Sequence, residues 1–128
     1  MKFQPDTPDG QTIRAYGQGW VNVNGDKLGA SVVIGSKGQR FDWHCTRFDL
    51  LTNAHFSVLA DASPELVIFG SGDRLRFPKP EWLTSLFAKR IGIETMDVAA
   101  ACRTYNILAG EGRNVLLALL LEKSEPSP

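Results

Sequence analysis

The sequence predicts a mixed α/β (α+β) fold in which an N-terminal antiparallel β-meander packs on a βαβαβ second half. Three observations carry this prediction. Asn24-Gly25 lies between two short apolar stretches, and this dipeptide is typical of a tight β-hairpin. Residues 65–77 and 92–108 each run from an apolar, strand-like stretch into small or polar residues. Residues 115–121 are apolar at every position, which predicts a central strand covered on both faces.

The meander is predicted from short apolar stretches separated by turn residues. The turns are Asn24-Gly25 and residues 36–38, Ser-Lys-Gly. In the last strand polar residues alternate with Phe41 and Trp43. Four strands are expected, at residues 13–16, 20–23, 28–34 and 39–44.

The second half alternates strand and helix signals. Pro80 suits the first turn of a helix, Asp97 is a candidate N-cap, and Gly110 stands where a helix often ends in a left-handed residue. The expected helices cover residues 53–59, a segment begun by Pro80, and residues 98–109. The expected strands cover residues 66–69, 91–95 and 115–121.

The chain of 128 residues is 43% hydrophobic, which is enough for one core. We predict a single globular domain over residues 12–121. Residues 1–11 and 122–128 are polar, contain several prolines and lack periodicity. They are predicted to be flexible tails.

Charge and composition disfavour several classes of protein. Fourteen basic residues balance fourteen acidic ones, and no basic stripe of the kind that binds nucleic acid is evident. The start of the sequence lacks the apolar run of a signal peptide, and the longest apolar run is far too short to span a bilayer. With two cysteines and no disulfide framework, the sequence predicts a soluble cytoplasmic protein without a transmembrane segment.

Small and polar residues follow two of the predicted strands. If those strands are parallel neighbours, residues 70–72 and 96–97 meet on one edge of the sheet, where open α/β folds usually keep their sites. Arg103 and Asn106, three apart, share a face of the helix that begins there. The hypothetical binding residues are therefore Gly70, Ser71, Gly72, Asp97, Arg103 and Asn106.

Each of these residues also has a purely structural interpretation. The Gly-Ser-Gly stretch lacks the third glycine of a dinucleotide fingerprint, since residue 75 is leucine, and it lacks the ending of a P-loop. Gly70 and Gly72 can instead supply positive φ angles to a turn. Asp97 caps its helix and would repel an anion, while Arg103 can pair with Asp97 or Asp73 rather than with a partner.

No catalytic or metal-binding residue is predicted. The candidate soft ligands, Cys45, Cys102, His44 and His55, lack the spacing of a zinc site. We expect Cys102 to be a buried, unreactive thiol, and we expect neither a metal nor a cofactor. The three tryptophans can mark either an interaction surface or core packing.

Three stretches in combination resemble a known family: Thr12 to Gly17, the block at residues 66–78, and residues 91–121 with Met96 to Asn106 at their centre. They are similar to the small Mth-type domains of bacteria and archaea, whose mitochondrial relatives are assembly factors for respiratory complex I. The resemblance implies a compact domain of two β-sheets and helices, with no established enzymatic reaction.

The expected function is a non-enzymatic protein-interaction module, similar to an assembly factor, whose partner is another protein. The alternative is a small-molecule or anion-binding protein, or a weak enzyme, that uses the edge formed by Gly70–Gly72, Asp97, Arg103 and Asn106.

Overall fold

The computed structural model describes residues 10–122. Of the predicted tails, residues 10, 11 and 122 are described, and the rest lie outside the described residues. The Gln11 carbonyl accepts a hydrogen bond from the Tyr105 hydroxyl (2.6 Å), and the Glu122 carboxylate accepts one from the backbone N–H of Phe48 (2.7 Å). Since the Gly10 carbonyl also accepts from the Asn24 amide (3.3 Å), hydrogen bonds reach two residues before the expected domain and one residue after it.

The described residues form eight strands, three α-helices and two short 3₁₀ turns, the latter at Phe48–Leu50 and Pro80–Leu83. The helices are α1 (Asn53–Ala60), α2 (Thr84–Ala88) and α3 (Val98–Gly110). The strands are β1 (Ile13–Gly17), β2 (Trp20–Val23), β3 (Asp26–Leu28), β4 (Val32–Gly35), β5 (Arg40–Asp42), β6 (Leu66–Gly70), β7 (Gly92–Met96) and β8 (Val115–Leu119).

Strands β1, β2 and β3 form a small antiparallel sheet in that order. The turn between β2 and β3 is the predicted one. Asn24 and Gly25 have φ angles of 52° and 102°, the positive values that a two-residue hairpin turn of this kind requires. The Asn22 side chain adds a hydrogen bond from the Gly25 N–H (2.8 Å).

The second sheet has five strands in the order β5-β4-β8-β6-β7. Strand β8 runs parallel to β6 and antiparallel to β4, so it lies in the middle of the sheet, as its apolar composition predicts. Strands β6 and β7 are parallel neighbours, with Gly70 opposite Met96. Strands β5 and β7 lie at the two ends of this sheet.

The expected single strand at residues 28–34 is wrong in detail. The chain leaves the small sheet after Leu28 and enters the large one at Val32, so the meander is divided between two sheets. The crossing is stabilised at Ser31, whose buried hydroxyl accepts a hydrogen bond from the Leu121 N–H (2.9 Å). Apolar patterning shows that both segments are extended, but it does not show that they belong to different sheets.

The end of α3 also differs from the prediction. Gly110 is the last residue of the helix, and Gly112 takes the positive φ of 85°. The helix therefore ends slightly later than expected, and the left-handed residue comes after Glu111.

The large sheet is covered on both faces, which produces two hydrophobic clusters. Alternate residues of β8 divide between them: Leu116 and Ala118 pack with the side of α1 and α2, and Leu117 and Leu119 with the side of α3 and the small sheet. The molecule is thus layered, with β8 in its centre. None of the helices within residues 10–122 has the length and apolarity that crossing a membrane requires.

Candidate functional site

The two loops predicted to share an edge do meet there. Because β6 and β7 are parallel and in register, the residues that follow them leave the sheet side by side. The Ser71 N–H donates a hydrogen bond to the Met96 carbonyl (2.8 Å), and the Val98 N–H donates one to the Gly72 carbonyl (2.9 Å). The predicted edge is therefore a real structural unit.

Ser71 is fully buried, and its hydroxyl organises the loop that follows β6. Its Oγ donates to the Arg74 carbonyl (2.8 Å) and accepts from the Arg76 N–H (2.9 Å). A hydroxyl held in this way stabilises its own loop and is turned away from solvent. The side chain of Ser71 thus has a structural role.

The two glycines beside Ser71 are there for different reasons. A Cβ at Gly70 would lie 2.7 Å from Leu119 Cδ2 and 3.2 Å from the Ala101 Cβ, so this glycine allows α3 to pack closely on the sheet. Gly72 has a φ of +109° and leaves room for the Arg76 guanidinium. The interpretation as a turn glycine with positive φ is correct for Gly72 and wrong for Gly70.

Arg76 ties this loop to two distant segments. Its guanidinium donates to the Ser71 carbonyl and pairs with the Glu122 carboxylate, and it stacks over the Phe48 ring at 4.7 Å. Partial burial opposes ionisation of Glu122, but the hydrogen bonds from Arg76 and from the Phe48 N–H outweigh it and lower the pKa of that carboxyl. Sequence reasoning missed this cluster because its members are far apart in the chain.

The N-terminus of α3 is already provided with hydrogen-bond acceptors. Asp97 caps it as predicted, its Oδ1 accepting from the Ala100 N–H (2.8 Å). The Val98 N–H is bonded to Gly72, as described above. An anion would compete for these donors and would meet the Asp97 carboxylate. The geometry therefore does not favour the anion-binding alternative.

Arg103 and Asn106 lie on the same helix but have different environments. Arg103 is exposed, and its Nη1 donates to the Tyr16 hydroxyl (2.9 Å) rather than pairing with Asp97 or Asp73. The Asn106 amide accepts from the Ile13 N–H (3.0 Å) and donates to the Ile13 carbonyl (2.7 Å). Asn106 thus joins α3 to β1, while Arg103 keeps its charge at the surface.

A groove of about 490 Å³ lies beside this edge, between the β1–β2 turn and the start of α3. Asp97 lines it together with Tyr16, Gln18 and Asp73, and the Gln18 amide reaches Asp73 Oδ2 (3.3 Å). Of the six hypothetical binding residues, Asp97 borders this groove, Ser71 and Asn106 are engaged in holding the fold, and Arg103 stands exposed. Their role in binding stays a prediction.

Sequence reasoning did not anticipate a second groove, of about 440 Å³, between β5 and α1. The nearly buried Trp43 lies beneath it, and its Nε1 donates to the His55 carbonyl (2.9 Å). Phe41, Ala54 and Val58 give the groove apolar walls, and Asp42 and His44 line it as well. The alternation of Phe41 and Trp43 with polar residues was a signal of this surface, since it places both rings on one side of β5.

Both cysteines are buried, and His55 takes part in capping a helix. Burial raises the pKa of the Cys102 thiol to about 12, and burial also raises the pKa of Cys45. His55 Nδ1 accepts from the Thr52 N–H (3.1 Å) and so helps to cap α1. Within residues 10–122 no three metal-ligating side chains lie close enough together to hold an ion.

Comparison with known proteins agrees with this architecture. A family model described as a protein of unknown function (DUF498/DUF598) matches residues 13–120. A Bordetella parapertussis protein of known crystal structure is 36% identical, with a TM-score of 0.84 over 92% of this chain and 100% of that one. A Mth938-like domain from Bordetella pertussis is 30% identical, with a TM-score of 0.80 over 98% of this chain and 95% of the other. These matches confirm the resemblance to Mth-type domains and the predicted fold class.

Among curated proteins, the chain is similar to NADH dehydrogenase (ubiquinone) 1 alpha subcomplex assembly factor 3 from Bos taurus. The two are 28% identical over 120 residues, which cover 92% of this chain and 65% of the bovine protein. The chain thus spans slightly less than two thirds of that relative's length.

Proposed function

We propose that this chain, which belongs to the DUF498/DUF598 family, is a non-enzymatic protein-binding module that assists the assembly of a multisubunit complex. The observation that carries the proposal is the similarity over 92% of the chain to a protein named as an assembly factor. Subunits of an NADH dehydrogenase are the first candidates for its partners, because that is the complex in the relative's name.

The chemistry of the candidate edge supports a binding role over a catalytic one. Ser71 and Asp97 are engaged in hydrogen bonds that hold the loop and cap α3. The high pKa of Cys102, about 12, disfavours the thiolate that nucleophilic catalysis requires. These side chains support the fold, and the surface of the domain stays available to another protein.

Several large apolar side chains are exposed at separate places on the surface of the domain. Phe77, Phe87 and Ile107 are 70%, 56% and 62% exposed. Single exposed apolar residues are common in proteins, but aromatic side chains are also the anchors that protein interfaces use most. We propose that the partner is reached in the cytoplasm, on the basis of the sequence composition.

The test is quantitative affinity purification of the tagged full chain from the cells that produce it. The chain is kept at its natural level, and brief cross-linking retains weak partners. We expect subunits of one multisubunit complex to be enriched over a control strain that carries the tag alone. We also expect deletion of the chain to reduce the amount of the fully assembled complex on native gels.

Enrichment of no protein above the control, together with unchanged complex levels after deletion, would contradict the proposal. Turnover of a small molecule by the purified chain, lost on removal of Arg103 or Asp97, would instead favour the small-molecule alternative.

A further inference from the structure

The backbone groups on the outer edge of β5 have no backbone hydrogen-bond partner within residues 10–122. Strand β5 is at the end of the five-stranded sheet, and its pairing partner is β4. The Gln39 carbonyl and the Trp43 N–H are bonded towards β4, to Gly35 and Ser31. Because inward and outward groups alternate along an antiparallel strand, Arg40 and Asp42 direct their N–H and C=O groups away from the sheet.

The two faces of this edge differ in chemistry. On one side lies the β5–α1 groove, with Trp43 beneath it and Val58, 39% exposed, on its α1 wall. Arg40 and Asp42 pair in register with Ile34 and Val32, so their side chains project on the other side, although Asp42, at the edge itself, also borders the groove. An added strand would therefore place alternate residues against an apolar surface and against charged side chains.

The charge available on that second side is negative. Arg40 is already paired with Asp26 (2.9 Å), and this carboxylate offsets part of its charge. Asp42 is exposed and takes part in none of the ion pairs formed within residues 10–122. A basic side chain on an added strand would complement it.

We propose that the outer edge of β5 and the β5–α1 groove bind an extended segment of a partner protein in which apolar and basic residues alternate. The segment would add a strand to the sheet, its backbone bonded to Arg40 and Asp42, its apolar residues over Trp43 and beside Val58, and a Lys or Arg facing Asp42. This inference rests on the proposed binding function and specifies its surface and the kind of partner.

The probe is a short capped peptide of alternating valine and lysine, titrated into the isotope-labelled full chain and followed by NMR. We expect amide shifts confined to residues 40–44 and to α1. Asp42→Lys should weaken binding by about tenfold, because it turns an attraction into a repulsion. Glu111→Lys, the same charge change on an exposed residue after α3, is the matched control and should bind like the parent chain.

Two altered peptides sharpen the test. A peptide with glutamate in place of each lysine should bind the parent chain more weakly than the lysine peptide does. The same glutamate peptide should bind Asp42→Lys more tightly than it binds the parent chain. A peptide with proline at both its central valine and the neighbouring lysine should cause no shifts, because in either strand direction one of these prolines removes an N–H that bonds to β5. If Asp42→Lys does not fold, Val58→Lys in the exposed wall of the groove replaces it and should also weaken binding, because it removes an apolar contact and repels the lysines of the peptide.

Equal affinities for the lysine and glutamate peptides, shifts outside β5 and α1, or no binding at millimolar peptide would overturn the proposal. Shifts at β5 that grow with protein concentration without peptide would assign the edge to a second copy of the chain and overturn it too. If the parent chain and Asp42→Lys capture the same complex from cells, this surface is refuted while the assembly function stands. If the parent chain captures none, the assembly function fails whatever the peptides show.

Discussion

At the scale of single residues, several side chains that could have signalled recognition are used to hold the molecule together. Trp43 and Trp82 are nearly buried, at 2% and 7% exposure, and both contact Phe56 in an aromatic cluster. Trp20 is half-buried, with Lys27 over its ring at 4.6 Å. For two of the three tryptophans the core interpretation is therefore the correct one.

Cys102 should be inert in the native protein. Burial raises the pKa of its thiol to about 12, so the thiol stays protonated at neutral pH. We expect thiol reagents to modify Cys102 only after denaturant unfolds the chain. Mass spectrometry of the native protein checks this, with the unfolded chain as a positive control. Rapid native labelling of Cys102 would show that the site opens and would revive a catalytic interpretation.

Replacing Arg103 and Asn106 separately should distinguish a surface residue from a structural one. Asn106→Ala leaves the half-buried N–H and C=O of Ile13 without their partner, which should cost about 1–3 kcal/mol of unfolding free energy. Arg103→Ala loses an exposed bond to Tyr16 and should change the melting midpoint little. Denaturant titration of both variants gives the two unfolding free energies to be compared. Equal destabilisation would assign Arg103 to the scaffold.

At the scale of elements, the loop after β6 is fastened to the end of the described chain. Arg76 carries this connection, since it bonds to Ser71 and pairs with Glu122, which in turn accepts the Phe48 N–H. Three segments distant in sequence are joined here through two side chains. The joint lies beside the C-terminal ends of β6 and β8, and it restricts the loop that borders the candidate edge.

This joint should make stability sensitive to acid. The pKa of Glu122 is lowered in the folded state, so its contribution is complete above the ordinary glutamate pKa of about 4.3 and is lost as the pH falls through the lower folded value. Glu122→Gln should therefore reduce stability at pH 7 and flatten its decline towards acidic pH.

Glu111→Gln, at an exposed site, is the control and should follow the parent chain. Unfolding curves recorded from neutral pH to below pH 4 provide the measurement. The same decline with pH in Glu122→Gln and in the parent chain would show that Glu122 is not the titrating group.

At the scale of the whole molecule, β8 is the strand that contacts every layer. It pairs with β4 and β6, and its two faces contribute to both hydrophobic clusters. The small sheet and α3 cover one face, while α1 and α2 cover the other. Loss of β8 would therefore separate the layers from each other.

Leu117→Asp should unfold the domain. Leu117 is fully buried between Ile34 and Ile68 of the neighbouring strands. An unpaired carboxylate there would consume most of the roughly 5–15 kcal/mol that stabilises a typical domain. Leu117→Met, which conserves volume, should cost less than about 1.5 kcal/mol. Circular dichroism and thermal melting compare the two variants. If Leu117→Asp unfolds cooperatively at the midpoint of the parent chain, β8 is not central to the fold.

The sequence by itself determined most of the strands and helices, and their order in the second half, although not the break between β3 and β4. Local signals suffice for this: the apolar run of β8, the turn at Asn24-Gly25, and the cap at Asp97 each act within a few residues of the chain. The sequence made the shared edge conditional on β6 and β7 being parallel neighbours, and the structure shows that they are.

Only the tertiary structure decided which partners these elements take. The division of the meander between two sheets, the joint of Arg76 with Glu122, and the attachment of Asn106 to Ile13 join residues that are far apart in the chain. The β5–α1 groove likewise exists because a helix and a strand from separate segments pack around Trp43. Periodicity reports which face of an element is apolar, and the packing of the whole chain determines what that face meets.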